Sequence, residues 1–510
     1  MALLNTILTW IMKKRIDQIT FFTENPHQVQ EDTFRKLVHA ARDTEWGRQY
    51  GYADAPTPGQ FRERVPLSTY EDLFPRIERL MKGEQNILWP SEIKWFAKSS
   101  GTTNARSKFI PVSTEALEDC HFRGGKDLMT LFIHNRPDTK VFTGKGLSIG
   151  GSLQSTAANV FSGDVSAVVM KNLPIWAQFI RTPQLEVALM DKWEEKLDKM
   201  AHITAQENVT SILGVPTWTI VLLEKVLALT GKSSILDVWP NLEVFAHGAV
   251  SFGPYRELFT QKLISSLSVD YMEIYNASEG FFGIQDDLSR PDEMLLMLDY
   301  GVFYEFIPLE EVDWEHPRTL GLEEVELNRH YALVISTNAG LWRYKIGDTI
   351  RFTSLHPHRI KITGRTKHFI NAFGEEVIIE NAEAAITRAC QQTGAVVGDF
   401  TAGPVYMEGG KRGRHEWIIE FTRPPARLAH FTQVLDSTLR DLNSDYDAKR
   451  YQDMALRLPL VHHVPEGTFY RWMKKRGKLG GQHKVPRLAN SREYLDDLLK
   501  MVAERAVNSG

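Results

Sequence analysis

A run of small polar residues that ends in a lysine is the segment best suited to hold phosphates. Residues 99–108 read SSGTTNARSK. Small residues expose backbone amides and hydroxyls, and a lysine adds positive charge, so the segment suits a polyphosphate. The residues concerned are Ser99, Ser100, Gly101, Thr102, Thr103 and Lys108. The spacing is not that of a P-loop, and a capped surface turn is the competing interpretation.

A second group of polar side chains follows an apolar run. Residues 269–274 are predicted as a strand, and Tyr275, Ser278 and Glu279 come directly after it. Open α/β sheets bind ligands at the carboxyl ends of their strands. Glu279 is therefore a candidate ligand for Mg²⁺, and Tyr275 is a candidate to stack on a base. A solvent-facing glutamate near the start of a helix is the ordinary alternative.

Asp348 is the third candidate. It follows Gly347 in the segment GLWRYKIGDTIRF, whose apolar and aromatic residues predict an enclosed carboxylate that needs hydrogen-bond donors. Ribose hydroxyls would supply those donors. An ion pair with Arg343 or Lys345 would supply them equally well.

These candidates need a sheet and helices to position them. Between residues 91 and 363, strand-like apolar runs alternate with helical stretches, which predicts an α/β fold with segment 99–108 as a loop. The predicted strands are 94–98, 109–112, 209–213, 242–246, 269–275, 302–308 and 331–337. The predicted helices are 114–135, 193–207, 218–229 and 254–267.

The pattern changes near residue 360. A strand over 360–363 precedes a polar turn, and the rest of the chain is long enough for its own small α+β domain. We therefore predict a large domain over 1–363 and a small one over 368–510. The predicted elements of the small domain are helices 379–391, 428–442 and 491–507 and strands 405–408 and 416–421.

Composition excludes several classes of protein. The 510 residues are 43% hydrophobic and 24% charged, which is enough for a large core. Sixty basic against 64 acidic residues leave a net charge of -4, which disfavours a nucleic-acid binder. Two distant cysteines, Cys120 and Cys390, exclude a disulfide scaffold and a structural zinc site and favour a reducing cytoplasm. No apolar run reaches the roughly 18 residues that a membrane span needs.

The N-terminal segment 1–22 is predicted to be an amphipathic helix. Its apolar residues recur at helical spacing, and its basic residues follow the apolar part, the reverse of a secretory signal. A helix packed on the body of the protein is the favoured interpretation. An anchor on a membrane surface is the alternative.

Taken together, the motifs resemble a known family. The phosphate segment, the Y-x-x-S-E at a strand end, the Y-K-x-G-D strand and the G-R-T-K step occur in the order found in the adenylate-forming superfamily. The set is most similar to its Gretchen Hagen three branch, the auxin-responsive acyl-acid amido synthetases and their bacterial relatives. The resemblance extends from about residue 30 to 500 and implies a large domain of β-sheets flanked by helices with a smaller, mobile α+β C-terminal domain.

The resemblance also implies roles for the candidate residues. Segment 99–108 matches the phosphate-binding loop, although Asn104 and Ala105 stand where the plant loop is rich in glycine. Tyr275, Ser278 and Glu279 match a motif assigned to the adenine side and to Mg²⁺. Asp348 matches the aspartate that binds ribose hydroxyls, and the preceding lysine, Lys345, replaces the arginine of the plant motif.

Two further features of the family fall near and within the small domain. Gly364, Arg365 and Lys367 look like the hinge, which we place at 364–367, and Arg365 is also counted with the ATP-binding residues. The segment GQHKVPR resembles the family's Q-Y-K-x-P-R. Lys484 is thus the candidate lysine that swings in toward the phosphates.

The implied activity has two steps. An acyl-adenylate and pyrophosphate form from ATP and a carboxylic acid, and the acyl group is then transferred to an amine, for which an amino acid is the expected substrate. The implied catalytic residues are Lys484, Lys108 and Glu279, with ATP and Mg²⁺ as cofactors. Both other substrates are small molecules, and we expect a cytoplasmic monomer with no nucleic-acid partner. A thiol acceptor such as coenzyme A, or a non-catalytic nucleotide-binding protein, are the alternatives.

Overall fold

The computed structural model describes residues 2–103, 106–157, 159–250, 252–264, 266, 268–366, 369–407, 411–476 and 486–508. Its contacts divide the chain into two units. The first comprises Met1–Ser99, Lys108–Phe252 and Phe259–Thr366, and the second comprises Ser100–Ser107, Gly253–Leu258 and Lys367–Gly510.

Among the described residues of the first part of the chain, fifteen strands form one four-stranded and one eleven-stranded sheet. The strands are β1 Trp95–Thr103, β2 Arg106–Val112, β3 Lys145–Ser148, β4 Leu153–Ala157, β5 Val160–Gly163, β6 Arg181–Thr182, β7 Val209–Gly214, β8 Val244–His247, β9 Asp270–Ala277, β10 Gly280–Ile284, β11 Met294–Leu296, β12 Val302–Pro308, β13 His330–Thr337, β14 Tyr344–Leu355 and β15 His358–Arg365.

The large sheet has two differently built halves. Its order is β12-β13-β14-β15-β11-β10-β9-β8-β7-β3-β6. Strands β6, β3, β7, β8 and β9 are paired in parallel, whereas β9 to β12 on the other side are paired antiparallel. Helical crossovers join parallel strands and put their carboxyl ends on one edge, so β3, β7, β8 and β9 all end at the same edge.

The four-stranded sheet corrects the prediction for segment 99–108. Strand β1 continues through Thr103 and β2 begins at Arg106, so most of the predicted loop is extended. Thr102 and Thr103 are β-branched, which favours a strand where polarity alone suggested a loop. Asn104 and Ala105 lie outside the described residues.

Helices cover the sheets of the first unit. They are α1 Ala2–Glu24, α2 Pro26–Ala41, α3 Glu45–Gln49, α4 Pro58–Arg64, α5 Tyr70–Met81, α6 Arg123–Asn135, α7 Val165–Asn172, α8 Ile175–Phe179, α9 Leu185–Ala188, α10 Trp193–Thr204 and α11 Pro216–Thr230. The predicted helix 114–135 is split, because a π-helical segment, Ala116–Phe122, precedes α6.

Helix α1 packs against α6. Its Met12, Ile19 and Phe22 are buried, and the buried Arg15 forms ion pairs with Asp127 at 2.9 Å and with Asp299. These contacts agree with the interpretation of a helix packed on the body of the protein. No described helix is apolar over a length that would cross a bilayer.

The second unit is a small α+β assembly. Its strands are β16 Phe369–Ile370, β17 Val377–Ile378, β18 Val396–Val405, β19 Arg414–Arg423 and β20 Leu460–Val464, and β18, β19 and β20 form one sheet. Its helices are α12 Gly253–Glu257, α13 Ile379–Thr393, α14 Leu428–Leu442, α15 Ser444–Arg450, α16 Thr468–Lys475 and α17 Glu493–Asn508. The predicted α/β fold with a smaller α+β part is confirmed.

Three predicted boundaries were wrong. The strand expected over 405–408 lies at Val396–Val405, because pairing with β19 keeps this segment extended although Gly398, Gly403 and Pro404 are poor strand formers. The helix expected over 254–267 is a short helix, α12, followed by a π-helical segment, Leu258–Leu263. The polar turn expected at Gly364 begins later, since β15 continues through Arg365.

Candidate active site

Glu279 lies in a tight turn at the carboxyl edge of the parallel half of the sheet. Strand β9 ends at Ala277 and β10 begins at Gly280, and these two residues face each other in the ladder. Ser278 and Glu279 are therefore the turn itself. Because β9 is also parallel to β8, the turn projects from the edge at which open α/β sheets bind ligands.

The carboxylate of Glu279 is only loosely held. The hydroxyl of Tyr344 lies 3.5 Å from Oε1, at the long limit of a hydrogen bond. Burial raises the pKa of the Glu279 carboxyl, and the positive charges of Lys108 and Arg365 lower it in part. The carboxylate is thus partly buried and lies near the positive charges of Lys108 and Arg365.

Lys108 stands on β2 beside an aromatic ring. Its Nζ lies 5.8 Å from the centre of the Tyr70 ring, within the range of a cation–π contact. The Tyr70 hydroxyl accepts a hydrogen bond from the backbone N–H of Phe109 at 2.9 Å, which fixes the ring next to the strand. Tyr70 therefore helps to place the ammonium of Lys108 near Glu279.

Asp348 is held by two donors from neighbouring strands. The Tyr275 hydroxyl donates to Oδ2 at 2.5 Å, and Arg365 Nε donates to Oδ1 at 2.7 Å. Arg365 is the cross-strand neighbour of Asp348 in the β14–β15 ladder. The alternative of an ion pair with Arg343 or Lys345 is not found: Asp348 pairs with Arg365 at 2.7 Å, and Arg343 is paired with the buried Glu305 at 3.0 Å.

The ring of Tyr275 is buried in the core, and its hydroxyl contacts Asp348. Its ring is 5% exposed and packs edge-on against Phe282, with 5.0 Å between the ring centres. Burial and the adjacent Asp348 raise the pKa of the Tyr275 hydroxyl well above its ordinary value. The hydroxyl therefore keeps its proton and acts as a donor to Asp348.

The start of β14 and the end of β15 are hydrogen-bonded next to Asp348 and Arg365. The backbone N–H of Thr366 donates to the carbonyl of Gly347 at 2.8 Å. Gly347 has φ +93° and Gly364 has φ +144°, backbone conformations that favour glycine. These two glycines let the strand ends bring Asp348 and Arg365 side by side.

The structure thus brings together Tyr275, Glu279, Asp348, Arg365 and Lys108 within the first unit. Ser278 shares the turn of Glu279, and Ser99 lies on β1. For Ser100, Gly101, Thr102 and Thr103 the structure gives the backbone path of β1 alone. Lys367 and Lys484 lie outside the described residues.

The contacts that two aromatic residues make in the site were not predicted from the sequence. Tyr344 belongs to the recognised Y-K-x-G-D motif, so its position was a signal that could have found it. Tyr70 stands 38 positions before Lys108 on helix α5, and only the tertiary structure shows that the two residues meet.

The chain belongs to the GH3 family. The models of the GH3 family N-terminal, central and C-terminal domains match residues 15–269, 295–365 and 380–493. The chain is therefore a member of a family of acid–amino-acid ligases that form amide bonds.

Curated relatives span most of the chain. An indole-3-acetic acid-amido synthetase, GH3.3 of Arabidopsis thaliana, is 24% identical over 93% of this chain and 91% of its own length. A jasmonoyl–L-amino acid synthetase, JAR4 of Nicotiana attenuata, is 27% identical over 67% of this chain and 69% of its own.

Solved structures share the fold. A GH3.15 acyl acid amido synthetase in complex with 2,4-DB has a TM-score of 0.61 at 18% identity and covers 96% of both chains. A 2-hydroxyisobutyryl-CoA ligase has a TM-score of 0.58 at 13% identity, with coverage of 94% of this chain and 93% of its own. The chain thus shares the fold of both enzymes.

Replacing Asp348 with asparagine should raise the KM for ATP about tenfold, which corresponds to about 1.4 kcal/mol. The amide keeps the shape of the carboxylate but loses the charge that pairs with Arg365 and one of the acceptor oxygens that the family resemblance assigns to ribose hydroxyls. Steady-state kinetics with ATP varied would measure the change. Asp292→Asn is the matched control, since Asp292 is 43% exposed and pairs with Lys361 at 3.4 Å on the surface. An unchanged KM for ATP in Asp348→Asn would contradict the assignment.

Proposed function

We propose that this chain activates a carboxylic acid with ATP and then transfers the acyl group to the amino group of an amino acid. The observation that supports this assignment most directly is the cluster at the sheet edge. There Glu279 faces Lys108 and Arg365, and Asp348 is held by Tyr275 and Arg365. The cluster stands in a chain of the GH3 family.

The first step forms a mixed anhydride. A carboxylate oxygen of the acid attacks the α-phosphorus of ATP, the bond to the β-phosphate oxygen breaks, and acyl-AMP and pyrophosphate result. Both reactants are anions, so the enzyme must supply positive charge and orientation. Lys108 supplies charge beside the phosphates, and Asp348 orients the nucleoside through its ribose hydroxyls.

The donor set fits a magnesium ion at Glu279. Mg²⁺ commonly binds to one or two carboxylates together with substrate phosphates and water. Glu279 offers a single partly buried carboxylate whose hydrogen bond from Tyr344 is long, and no cluster of three ligating side chains exists among the residues that the structure describes. When bound, the ion would neutralise phosphate charge, and Glu279 would hold it.

The second step needs access for the amine. The amino nitrogen attacks the acyl carbon, AMP leaves with the shared oxygen, and the nitrogen loses a proton to form the amide. We assign Gly364 to Lys367 as the hinge about which the residues after 367 turn, and Lys484 as the lysine that this turn brings to the phosphates or withdraws. Both assignments rest on the resemblance of their motifs to those of the family.

The relatives suggest the class of acid. Their names specify indole-3-acetic acid, jasmonic acid and 4-substituted benzoates. We expect an acid of this kind, with an apolar body, and a cytoplasmic monomer. The free cysteines Cys120 and Cys390 agree with a reducing compartment.

The test is exchange of labelled pyrophosphate into ATP over a panel of carboxylic acids. We expect exchange that requires both an acid and Mg²⁺, followed by a new amide of the expected mass when amino acids are added. Products with coenzyme A in place of amino acids would identify a thiol acceptor. Folded protein that binds ATP but gives no exchange with any acid would contradict the proposed function.

A further inference from the structure

A cleft of about 680 Å³ lies between α1, α2 and the segment that leads into α6. Its volume is typical of small-molecule sites, which measure roughly 300–1,000 Å³. Phe21 and Lys36 are exposed at its mouth, whereas Leu37 and Trp89 are buried at its base. None of the described residues of the cluster around Glu279 lines it. The cleft is therefore separate from the candidate active site.

Two helix faces form the walls of the cleft. On α1, Asp17 and Phe21 both line it and are four positions apart. On α2, Asp32, Lys36 and Ala40 line it at the same spacing. Residues four positions apart lie on one face of a helix, so each helix presents a continuous strip to the cleft. The wall formed by α1 is held in place by the buried ion pairs that anchor this helix.

The base of the cleft is built before any ligand arrives. Gly301 and Asn338 line it, and the Asn338 N–H donates to the Gly301 carbonyl at 3.0 Å. The Ser113 hydroxyl donates to the Asn338 carbonyl at 2.6 Å and accepts from the Ala116 N–H at 2.9 Å. These bonds fix the base to the start of the π-helical segment. A preformed cleft of this kind is typical of a binding site.

The cleft is acidic. Among the described residues that line it, five carry carboxylates and two, Lys36 and Arg123, carry positive charge. Arg123 is already used within the protein, because it pairs with Asp119 at 2.8 Å and donates to the carbonyl of Asp299 at 2.9 Å. Its charge therefore does little to neutralise the other carboxylates.

Three carboxylates of the cleft are not paired with Arg123: those of Asp17, Asp32 and Glu115. Asp32 approaches Arg35 only at 4.0 Å, and both side chains are about half exposed or more. Glu115 accepts a hydrogen bond from a neutral hydroxyl, that of Ser91, at 2.7 Å. The cleft therefore carries an excess of negative charge.

Apolar side chains lie beside these carboxylates. Phe21 is 49% exposed, which is high for a phenylalanine, and Phe22, Leu37 and Trp89 provide apolar surface deeper in the cleft. The faces of aromatic rings attract cations, as carboxylates do. Both features favour a ligand that is positively charged and partly apolar. They disfavour ATP and carboxylic acids, which are anions.

We propose that this cleft is a binding site for an organic ammonium ion, an amine whose charge is neutralised by the carboxylates of Asp32 and Glu115 and whose apolar body contacts Phe21 and Leu37. The site takes amines with a chain or ring of several carbons. The inference does not rest on the proposed function, since it uses no residue of the candidate active site.

The first experiment is calorimetric titration of wild type, without ATP or acid, with three probes. They are 4-phenylbutylamine, the neutral alcohol 4-phenylbutan-1-ol, and methylammonium chloride. We expect the phenylbutylamine to bind at one site at least tenfold more tightly than the alcohol, and methylammonium to give no measurable binding. Added salt should weaken binding of the amine and leave that of the alcohol unchanged. Equal affinity for the amine and the alcohol would overturn the proposal.

Charge variants test the carboxylates. Asp32→Asn and Glu115→Gln should each weaken binding of 4-phenylbutylamine about fivefold, as expected for a partly exposed ion pair. Glu118→Gln is the matched control, because Glu118 is an exposed carboxylate three positions after Glu115 and does not line the cleft. The control should bind like wild type. Unchanged affinity in both cleft variants, or the same loss in the control, would contradict the assignment.

A blocking variant tests the location by shape alone. Ala40 is exposed at the cleft, so Ala40→Trp should fill it without disturbing the core and should abolish measurable binding of 4-phenylbutylamine. Gln28→Trp adds the same bulk to α2 at an exposed position outside the cleft and should bind normally. The amine should raise the melting temperature of wild type and of Gln28→Trp but not of Ala40→Trp. Normal binding by Ala40→Trp would overturn the proposal.

Competition with ATP separates this site from the candidate active site. Saturating ATP should leave the affinity for 4-phenylbutylamine within twofold of its value without nucleotide. Loss of amine binding in the presence of ATP would place the amine at the phosphates and overturn the inference. Absence of pyrophosphate exchange would overturn the proposed function alone, because none of these titrations requires catalysis.

Discussion

Glu279→Gln is expected to reduce acid-dependent pyrophosphate exchange by about 10²–10³-fold, a loss typical of removing one charge-stabilising group. Glutamine preserves the volume and the contact with Tyr344 but removes the charge that would hold Mg²⁺. The loss should appear in kcat and be partly offset at high Mg²⁺ concentration. Exchange measured over a Mg²⁺ titration tests both expectations.

The pH profile gives an independent test of the same residue. Burial raises the pKa of Glu279, so protons compete for the carboxylate at a higher pH than for an ordinary glutamate. As the pH falls, wild-type activity should therefore begin to decline at a pH above the ordinary pKa of a glutamate. Glu279→Gln should lack this decline.

Glu293→Gln is the matched control, because Glu293 is a partly exposed carboxylate paired with Arg290 just before β11. It should exchange like wild type. Normal exchange by Glu279→Gln would contradict the assignment of Glu279 to the phosphate site. The same decline of activity at low pH in the variant and in wild type would contradict it as well.

Lys484→Ala is expected to separate the two half-reactions. Loss of a single positive charge at the transferring phosphates should lower pyrophosphate exchange by about 10²-fold or more. Amide formation from supplied acyl-AMP should stay within about threefold of wild type, because the phosphates have already reacted. Lys484→Arg should recover part of the exchange, since it keeps the charge.

The measurement is single-turnover kinetics, with exchange and amide formation followed separately. Lys478→Ala, in the same basic run, is the control and should leave both steps unchanged. An equal fall in both half-reactions for Lys484→Ala would contradict a role confined to adenylation.

Much of the candidate site could be found from the sequence because its residues sit in short contiguous motifs. Tyr275 and Glu279 are four positions apart at one strand end, and Asp348 follows a glycine in an apolar strand. Local spacing and polarity are properties of the chain itself. They place these residues before any tertiary structure is known.

The partners of these residues were harder to predict. Arg365 contacts Asp348 because the two residues are cross-strand neighbours in β14 and β15. The register of this pair of strands shifts at an irregularity between Thr349 and Ile350. Cross-strand neighbours depend on such shifts, which local sequence does not specify. The alternative of Arg343 as a partner of Asp348 was wrong, since Arg343 pairs with Glu305 of β12, two strands from β14 in the sheet.

The burial of individual side chains was a second property that the sequence did not reveal. Lys196 reads as one more charged residue of an amphipathic helix, next to two glutamates and an aspartate. Only the packing of α10 against the loop after β3 shows that it is enclosed. The loop prediction for segment 99–108 was wrong for a different reason. Its polarity suggested a loop, whereas strand pairing keeps most of it extended.

The two halves of the large sheet differ in how freely they can change over evolution. Strands of the antiparallel half largely follow one another directly, so an insertion in one turn shifts the pairing of the next strand and disturbs the nucleoside side. Strands of the parallel half are joined through separate helices, so each loop at their ends can change length alone. A loop at the end of a parallel strand can therefore change without moving Asp348 or Arg365, which lie on β14 and β15.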